Sequence, residues 1–587
     1  MQTIIWQLAQ KASLALTQQF SLQDLPLPIQ VQRTTKPEFG DFQIASCLSL
    51  AKHFSKSPLE LANVIANALS SLDIVAAATA VPPGYVNITI SDECLSELLA
   101  QFQRNPLYIK NAAYENQTII IDFSSPNIAK PLHVGHIRTS ILGDSLQRIL
   151  KAVGYQVISD NHLGDWGTQF GKLIVAYRKW LHQEAYKENP IKELVRLYQL
   201  FVSEEKKQAT EVNQGDNNEE NRPTELMASA RKELLHLQQK DPANYALWEE
   251  FVSSSKQEFE KTYKRLGITF DVQLGESFYN DMLPTLVNEL LSKNLAIYSQ
   301  GAVICEIEGE STPLVIRKTD GSYLYGTTDI ATTCYRVSTW NPTRMIYVVS
   351  SAQSLHLRQV FCIAKRMGIN SSMEHVSFGL IRFKDPKTGS FVTGSTREGN
   401  VPWLEDILDE AELRARQVVQ NKNPNLSLEE AIKIAKVVGI GAVKYNILNR
   451  DYVLDINFDI ESALSLDGNT APYIQYAYAR IQSILRKVTF SNEPIKVRFT
   501  TPKERLLWWK LLDYSFVLQQ VSQTSKVHIL CDYLYQLATL FNAYYHEVPV
   551  LKASHFEQIQ RVNLLYAIAS NIRHGLTLLG IECLEEM

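Results

Sequence analysis

The chain predicts an α/β protein: a doubly wound parallel sheet, with a small α/β module ahead of it and a helical bundle behind. Three observations carry that reading. Thr118-Ile-Ile-Ile is a short β-branched run of the kind that forms a buried strand. Residues 137–151 follow with apolar positions at 137, 141, 142, 146, 149 and 150, the offsets of an amphipathic helix. Tyr155-Gln-Val-Ile-Ser then opens a second strand before another helix from about 168. Strand, helix, strand, helix is the rhythm of a sheet that binds ligands at the carboxyl ends of its strands.

The remaining elements fall around this core. Helical patterns cover roughly 2–20 and 57–71, and Pro82-Pro-Gly-Tyr-Val-Asn-Ile-Thr-Ile reads as a turn entering a strand, so 1–110 is expected to be a separate small module. Pro37-Glu-Phe-Gly-Asp-Phe-Gln reads as a turn exposing two aromatics. Sheet strands resume at Met345-Ile-Tyr-Val-Val-Ser and around His375–Phe383, placing the sheet domain at 111–400. A mainly helical insertion at about 175–270 interrupts it. Within that insertion, residues 204–224 have almost no apolar content and are expected to form a mobile surface segment without a site. Residues 401–471 form a linking helical region, and 472–587 a helical bundle.

Composition sets the class. A chain of 587 residues exceeds one core, and 45% hydrophobic with 20% charged residues describes a globular protein. No run approaches the ~18 apolar residues that span a bilayer, so no membrane role is expected. The N-terminus lacks the basic-then-apolar plan of a secretory signal. Seven scattered cysteines, with no C-x-x-C and no Cys/His cluster, suit a reducing cytoplasm and argue against structural zinc or any other protein-held metal. The net charge of −4 means that a nucleic-acid partner would be held by local patches. Residues 472–587 carry 12 Lys/Arg against 9 Asp/Glu, with frequent aromatics. Core packing explains most of those rings, although a basic aromatic module also suits single-stranded RNA.

The chemistry concentrates where the first strand meets its helix. His133-Val134-Gly135-His136 sits at that junction, where backbone N–H groups and the positive helix end favour a polyphosphate. Gly135 leaves room for a flat base or ribose, and the imidazoles can donate to phosphate oxygens. A lone H-x-G-H could be an ordinary helix start; the preceding strand and the Pro-Asn-x-x-Lys-Pro spacer make it a nucleotide site.

That motif resembles the HIGH signature of class I aminoacyl-tRNA synthetases, and other stretches resemble the arginyl-tRNA synthetases in particular. They include residues 123–136, Asn161-His-Leu-Gly-Asp-Trp-Gly, Gly275-Glu-Ser-Phe-Tyr, Lys318-Thr-Asp-Gly-Ser-Tyr-Leu-Tyr-Gly-Thr-Thr-Asp, Ser351-Ala-Gln-Ser-Leu-His, Val438-Gly-Ile-Gly-Ala-Val-Lys-Tyr and Asp467–Arg480. They run in order over nearly the whole chain. The resemblance implies a Rossmann-type catalytic domain that makes arginyl-adenylate from arginine and ATP, with Mg²⁺, and passes the arginyl group to tRNA(Arg). It implies a cytoplasmic monomer with the anticodon read by 472–587. Cysteine-specific synthetases are the nearest enzyme alternative, and the missing Cys/His ligands oppose them. A non-catalytic RNA-binding relative is the alternative outside enzymes.

Residue roles follow from the same resemblance. The HIGH region spans Pro126, Asn127, Ile128, Ala129, Lys130, Pro131, Leu132, His133, Val134, Gly135 and His136, with His133, Gly135, His136 and His356 expected at ATP. Asp122, Tyr325 and Asp329 match the acidic arginine site; Tyr325 and Asp329 are one helical turn apart and can face one pocket. Asn127, His133 and Gln353 match positions holding the α-amino and carboxylate groups. A guanidinium is planar and always charged, so paired carboxylates are its natural partners. Tyr85, Asn87, Tyr473, Tyr476 and Arg480 are expected tRNA contacts, the last three lying at spacings that a buried helix face would share.

One departure stands out. The stretch corresponding to the second class I signature, K-M-S-K, is Phe391-Val-Thr-Gly-Ser-Thr-Arg-Glu-Gly-Asn, without lysine. Lys130 stands where related sequences are taken to supply the missing charge, with Arg397 as the other nearby cation; the plainer reading of Lys130 is a solvated spacer residue. Lys130→Ala is expected to cut ATP–pyrophosphate exchange at least tenfold, and exchange near the parent rate would reject the assignment.

Overall fold

The computed structural model describes residues 2–34, 37–104, 109–215, 224–384, 389–392, 403–488 and 497–587. Its central element is strand Thr118–Asp122, which pairs in parallel with Arg344–Ser350 on one side and Gln156–Asp160 on the other. Ser372–Phe378 pairs in parallel with the outer edge of 344–350, completing four strands. The chain therefore leaves the central strand in both directions. Between 118–122 and 344–350 the strand order reverses, and such a switch point opens a crevice at the carboxyl ends.

Both sides of the central strand are buried. Ile119 and Ile121 join the main core, while Ile120 packs on the opposite side with Met345, Tyr347 and Leu357. All three isoleucines are fully buried, each contributing roughly 1.5–3 kcal/mol relative to an exposed side chain. This explains why the run is continuously apolar and does not alternate.

The helix that follows, Val134–Val153, is buried along most of its length. It packs against the central sheet, the second small sheet and the C-terminal helices. Buried Arg138 donates to the carbonyls of Gly379 (2.6 Å), Leu380 (3.4 Å), Tyr452 (2.8 Å) and Leu454 (2.7 Å). It thereby ties the helix to a second small sheet, Ile381–Lys384 paired with Phe391–Val392 and Ile456–Phe458. Further along, Ser145 donates to Leu578 O at 3.1 Å, fastening the C-terminal bundle to the same helix. Lys444, from the helix Leu428–Leu448, donates to Gly580 O at 2.6 Å and also to Leu266 O.

The flanking modules take recognisable forms. Four antiparallel strands, ordered 31–33, 42–44, 85–90 and 75–81, form the N-terminal sheet beneath helices Gln2–Gln19 and Pro58–Leu69. In Tyr85–Ile90 the even positions are buried, so Tyr85 and Asn87 point away from the core. The expected pair of exposed aromatics at 37–43 is half right. Phe39 is 39% exposed, but Phe42 is fully buried, edge-on to Trp509 at 5.4 Å. The tertiary contact with the C-terminal bundle removes Phe42 from solvent, and Arg505 from that bundle pairs with Asp41 at 2.6 Å.

The insertion is helical at Thr168–Trp180, Gln183–Glu188, Pro190–Gly215, Glu225–Gln238 and Pro242–Leu266. Of residues 204–224, expected to be a mobile surface segment, 204–215 continue the helix from Pro190 and 216–223 lie outside the described residues. Straight-chain Glu, Lys and Gln are good helix formers even where nothing is buried. A three-stranded antiparallel sheet at Ile297–Ser299, Ala302–Cys305 and Leu314–Arg317 was not legible beforehand.

Gly143 is where the central helix meets the chain leaving the sheet. A Cβ there would lie 2.2 Å from the Phe123 ring, which is itself packed on Phe270. Gly143→Ala is expected to destabilise by about 1–3 kcal/mol through overpacking. A thermal-unfolding midpoint equal to the parent's would contradict this packing.

Candidate active site

The chain between strand and helix, residues 123–133, is polar, partly buried and conformationally unusual. Ser124, Ser125 and Ala129 all adopt positive φ, at 73°, 47° and 60°. Side chains lacking glycine's freedom do not hold such angles without support. The support comes from several elements. Ser124 N donates to Thr139 Oγ1 at 2.9 Å, and its hydroxyl bonds Ser140 and Tyr263. Ser125 N donates to Asn161 Oδ1 at 3.0 Å, and Ala129 N to Ser255 Oγ at 2.9 Å. Tyr263 and Ser255 belong to the helical insertion, which is thus part of the scaffold for this loop.

The two histidines of the junction are fixed by backbone capping. Gly135 N donates to His133 Nδ1 at 3.0 Å, and His133 N donates to His136 Nδ1 at 3.2 Å. Each Nδ1 is therefore an acceptor, which puts the proton of a neutral ring on Nε2. Burial, aided by Lys130, pushes His133 down to about 4; burial, with His133 and Lys130, lowers His136 well below the usual range. At neutral pH both are uncharged Nε2–H donors, suited to hydrogen-bonding a phosphate without adding charge.

At the switch point lies a cleft of about 540 Å³. Asp122, Asn127, Gly135, His136, Tyr325, Asp329, Gln353 and His356 all line it, so residues dispersed over 235 positions meet in one place. Asn127 is held by close approach to Gly164, where a Cβ would sit 2.2 Å from Asn127 Oδ1. Asp329 lies one turn into the helix Tyr325–Trp340, whose first residue, Tyr325, is 63% exposed at the mouth.

Three features of the cleft went unread in the sequence. Arg336, fully buried, donates to Asp122 Oδ2 at 2.6 Å and Asp160 Oδ2 at 2.7 Å. The parallel register places those two carboxylates side by side at adjacent strand ends. Asp122 is therefore not a free acid: Arg336 takes one oxygen and Ser125 Oγ donates to the other at 2.9 Å. Burial works against the Arg336 charge, but Asp122 and Asp160 outweigh it and raise the pKa. Secondly, Glu276 opens a short helix, 276–279, whose Ser277 is capped by Asp165. Burial, then Asp329 and Asp165, push Glu276 up to about 9. It lay within a quoted motif, without an assigned role. Thirdly, His162 lines the same cleft.

The His356 ring, expected at ATP, bonds Asp329 Oδ2 through Nε2 at 2.5 Å, on the acidic side of the cleft. Residues 95–460 match the family described as tRNA synthetases class I (R), catalytic domain; 4–90 match the arginyl-tRNA synthetase N-terminal domain and 474–587 the DALR anticodon-binding domain. An arginine–tRNA ligase of Fusobacterium nucleatum is 39% identical over 566 residues, covering 95% of each chain. One from Cellvibrio japonicus is 37% identical, covering 96% of each. The chain belongs to the arginyl-tRNA synthetase family. Its fold matches the arginyl-tRNA synthetase structure of Plasmodium falciparum with a TM-score of 0.80, at 25% identity over 100% of this chain and 99% of that one. The Thermus thermophilus structure aligns at 0.78 and 24% identity, covering 99% and 100%.

The other expected residues of this family member are dispersed. Lys130 Nζ lies 5.1 Å from the centre of the Tyr198 ring, on the insertion, and burial lowers its pKa. Arg397 lies outside the described residues, as does the rest of the 391–400 loop beyond Val392. Asn87 Oδ1 accepts from Gln43 at 2.7 Å on the N-terminal sheet. In the bundle, the Arg480 guanidinium stacks on Tyr476 (4.8 Å) and Tyr545 (5.2 Å). These three residues line a groove with Arg486, Lys487 and Lys552. Tyr473 is half-buried against Tyr535.

The capping geometry makes a direct prediction. Nitrogen NMR of labelled protein should find His133 and His136 neutral, protonated at Nε2, throughout pH 6–8. An imidazolium signal for either in that range would overturn the assignment.

Proposed function

We propose that this class I, ATP-dependent arginine–tRNA ligase receives the arginine guanidinium between Asp329 and Glu276, and ATP at the His133–His136 junction. The observation that carries this reading is the charge arrangement of one cleft: two carboxyl groups unclaimed by arginine or lysine, Asp329 and Glu276, line it together with His136 at the helix start, while His133 caps the same helix without lining the cleft. Asp122, already bound to Arg336, is better placed to orient the α-amino end than to balance the side chain. Asn127 and Gln353 complete that end, and Tyr325 covers the mouth.

Activation then needs little covalent chemistry from the protein. The arginine carboxylate attacks the α-phosphate of ATP, pyrophosphate leaves, and the aminoacyl group passes from the adenylate to the tRNA terminal adenosine. Catalysis rests on alignment and on stabilising the phosphate charge. His133 and His136 donate neutral hydrogen bonds; positive charge comes from Lys130, assisted by Arg397, and from Mg²⁺ carried with ATP. The tRNA is read at its anticodon by the Tyr476–Arg480–Tyr545 groove of 472–587, with Tyr473 nearby, and contacted by Tyr85 and Asn87 of the 1–110 module. Residues 111–400 hold the catalytic centre and 401–471 link it to the bundle. The enzyme acts as a cytoplasmic monomer.

Arginylation of tRNA by the purified chain tests the whole reading. Asp329→Asn is expected to lower kcat/KM for arginine a hundredfold or more; unchanged arginylation would reject the site. Glu276 supplies a pH signature. Its folded pKa near 9 means that the carboxyl is mostly protonated at pH 8, whereas a bound guanidinium favours the ionised form. Arginine binding at pH 8 should release close to one proton, and KM for arginine should fall as pH rises towards 9. Calorimetry in two buffers of different ionisation enthalpy reads the proton directly. In Glu276→Gln the release should fall by close to one proton and KM rise roughly ten- to a hundredfold, the loss of one charge-assisted hydrogen bond.

A further inference from the structure

We propose that His356 is the positioning residue of Asp329 and its counter-ion before substrate binds, and that it yields its Nδ1 proton to solvent when a guanidinium takes the carboxylate's open oxygen. The inference rests on the reading of the cleft as the arginine site and adds how its acid is kept ready.

The geometry is specific. His356 stands in the first turn of the helix Ser354–Arg366, and its Nε2 reaches across to Asp329 Oδ2 on the neighbouring helix. The side chains are 29% and 30% exposed, both facing the cleft. Among the described residues nothing donates to Asp329 Oδ1. One oxygen is thus held by the protein and the other left open to a ligand. A rotatable carboxylate anchored at one oxygen presents the second in a fixed direction, which a planar guanidinium requires.

Charge then sets the sequence of events. The bond to Asp329 raises the His356 pKa against the opposing effect of burial. A guanidinium arriving on Oδ1 would place two cations on one carboxylate at close range. The imidazolium is by far the weaker holder of its proton, since a guanidinium stays charged in proteins. The Nδ1–H bond breaks, its electron pair stays on nitrogen, and water or buffer takes the proton. The neutral ring keeps its Nε2–H on Oδ2, so the anchor survives while the charge leaves.

The surroundings leave Asp329 as the ring's carboxylate. On the Asp329 helix, Tyr325 is a phenol and Arg336 is committed to Asp122 and Asp160. Glu276, across the cleft, carries a raised pKa. His162 and His136 are the other imidazoles of the cleft, and His136 is held neutral. Strand 372–378 packs on the far side of the His356 helix. Its Glu374 is paired with Arg344, and its His375 ring bonds Val349 O at 3.0 Å. Strand 314–317 contributes Arg317, and on the His356 helix itself Arg358 pairs with Glu310 at 3.2 Å.

The test is a proton-resolved titration of the full-length protein labelled at histidine Cε1, with His356→Gln or His356→Asn identifying the signal. Saturating arginine is expected to lower the His356 midpoint by one pH unit or more. An unchanged midpoint with arginine demonstrably bound overturns the proposal. Absence of saturable arginine binding would instead remove the arginine reading itself. Kinetics separate positioning from charge. His356→Gln, which can still donate to Asp329, should flatten the rise in KM for arginine below neutral pH. His356→Ala should raise KM at least tenfold above that of His356→Gln at pH 8, since both variants lack the ring charge and only glutamine can still donate to Asp329. Equal KM values for the two variants at pH 8 would reject the positioning role.

Discussion

Backbone hydrogen bonding in a buried, non-repetitive loop is the constraint on which the rest of this structure depends. The chain must leave the central strand at Asp122 and enter its helix at Val134, and between them neither ladder nor helix satisfies its polar groups. Three non-glycine residues adopt positive φ in that span. The loop keeps its shape because donors and acceptors converge on it from the junction helix, from the loop after the second strand and from the insertion. Gly164 N donates to Pro126 O there at 3.0 Å and Gly164 O accepts from Ile128 N at 3.1 Å, and Asn127 is placed between these bonds. A rigid cradle at the switch point, assembled from segments over a hundred residues apart, is the outcome.

The same junction helix is also the common partner of the other parts. Arg138 holds the loops that lead to the second small sheet, and Ser145 holds the end of the C-terminal bundle. Arg138 does so with carbonyls in place of carboxylates, and burial pulls its pKa down to about 10 despite Asp455 and Asp451. Both modules are thus hydrogen-bonded to the helix that begins at His133.

Electrostatics in the cleft follow one rule: charges are balanced internally before any substrate arrives. Arg336 offsets Asp122 and Asp160, His356 offsets Asp329, and Glu276 is kept protonated by burial and its acidic neighbours. Leaving several carboxylates ionised and unpaired in one half-buried space would cost several kcal/mol. These pairings avoid that cost, and ligand binding becomes an exchange of cations and protons.

Much was legible without coordinates. The strand–helix rhythm foretold the parallel sheet, since continuous β-branched runs and apolar spacing of three and four are local consequences of burial. Gly135 and His136 belonged to a motif whose chemistry depends only on a strand-to-helix turn, and Tyr325 and Asp329 shared a helical turn by spacing alone. Tertiary structure decided what depends on register and distant packing: that Asp122 would face Arg336, that Glu276 would return to the cleft, that His356 would bind Asp329, and that Phe42 would be buried by Trp509. It also set Lys130 over Tyr198 of the insertion. Sequence by itself determined the strands and helix of the central sheet junction and which chemical groups are available. Which groups neutralise one another was settled only by folding, because an ion pair or a pKa depends on distances of a few ångströms between positions that spacing along the chain does not relate.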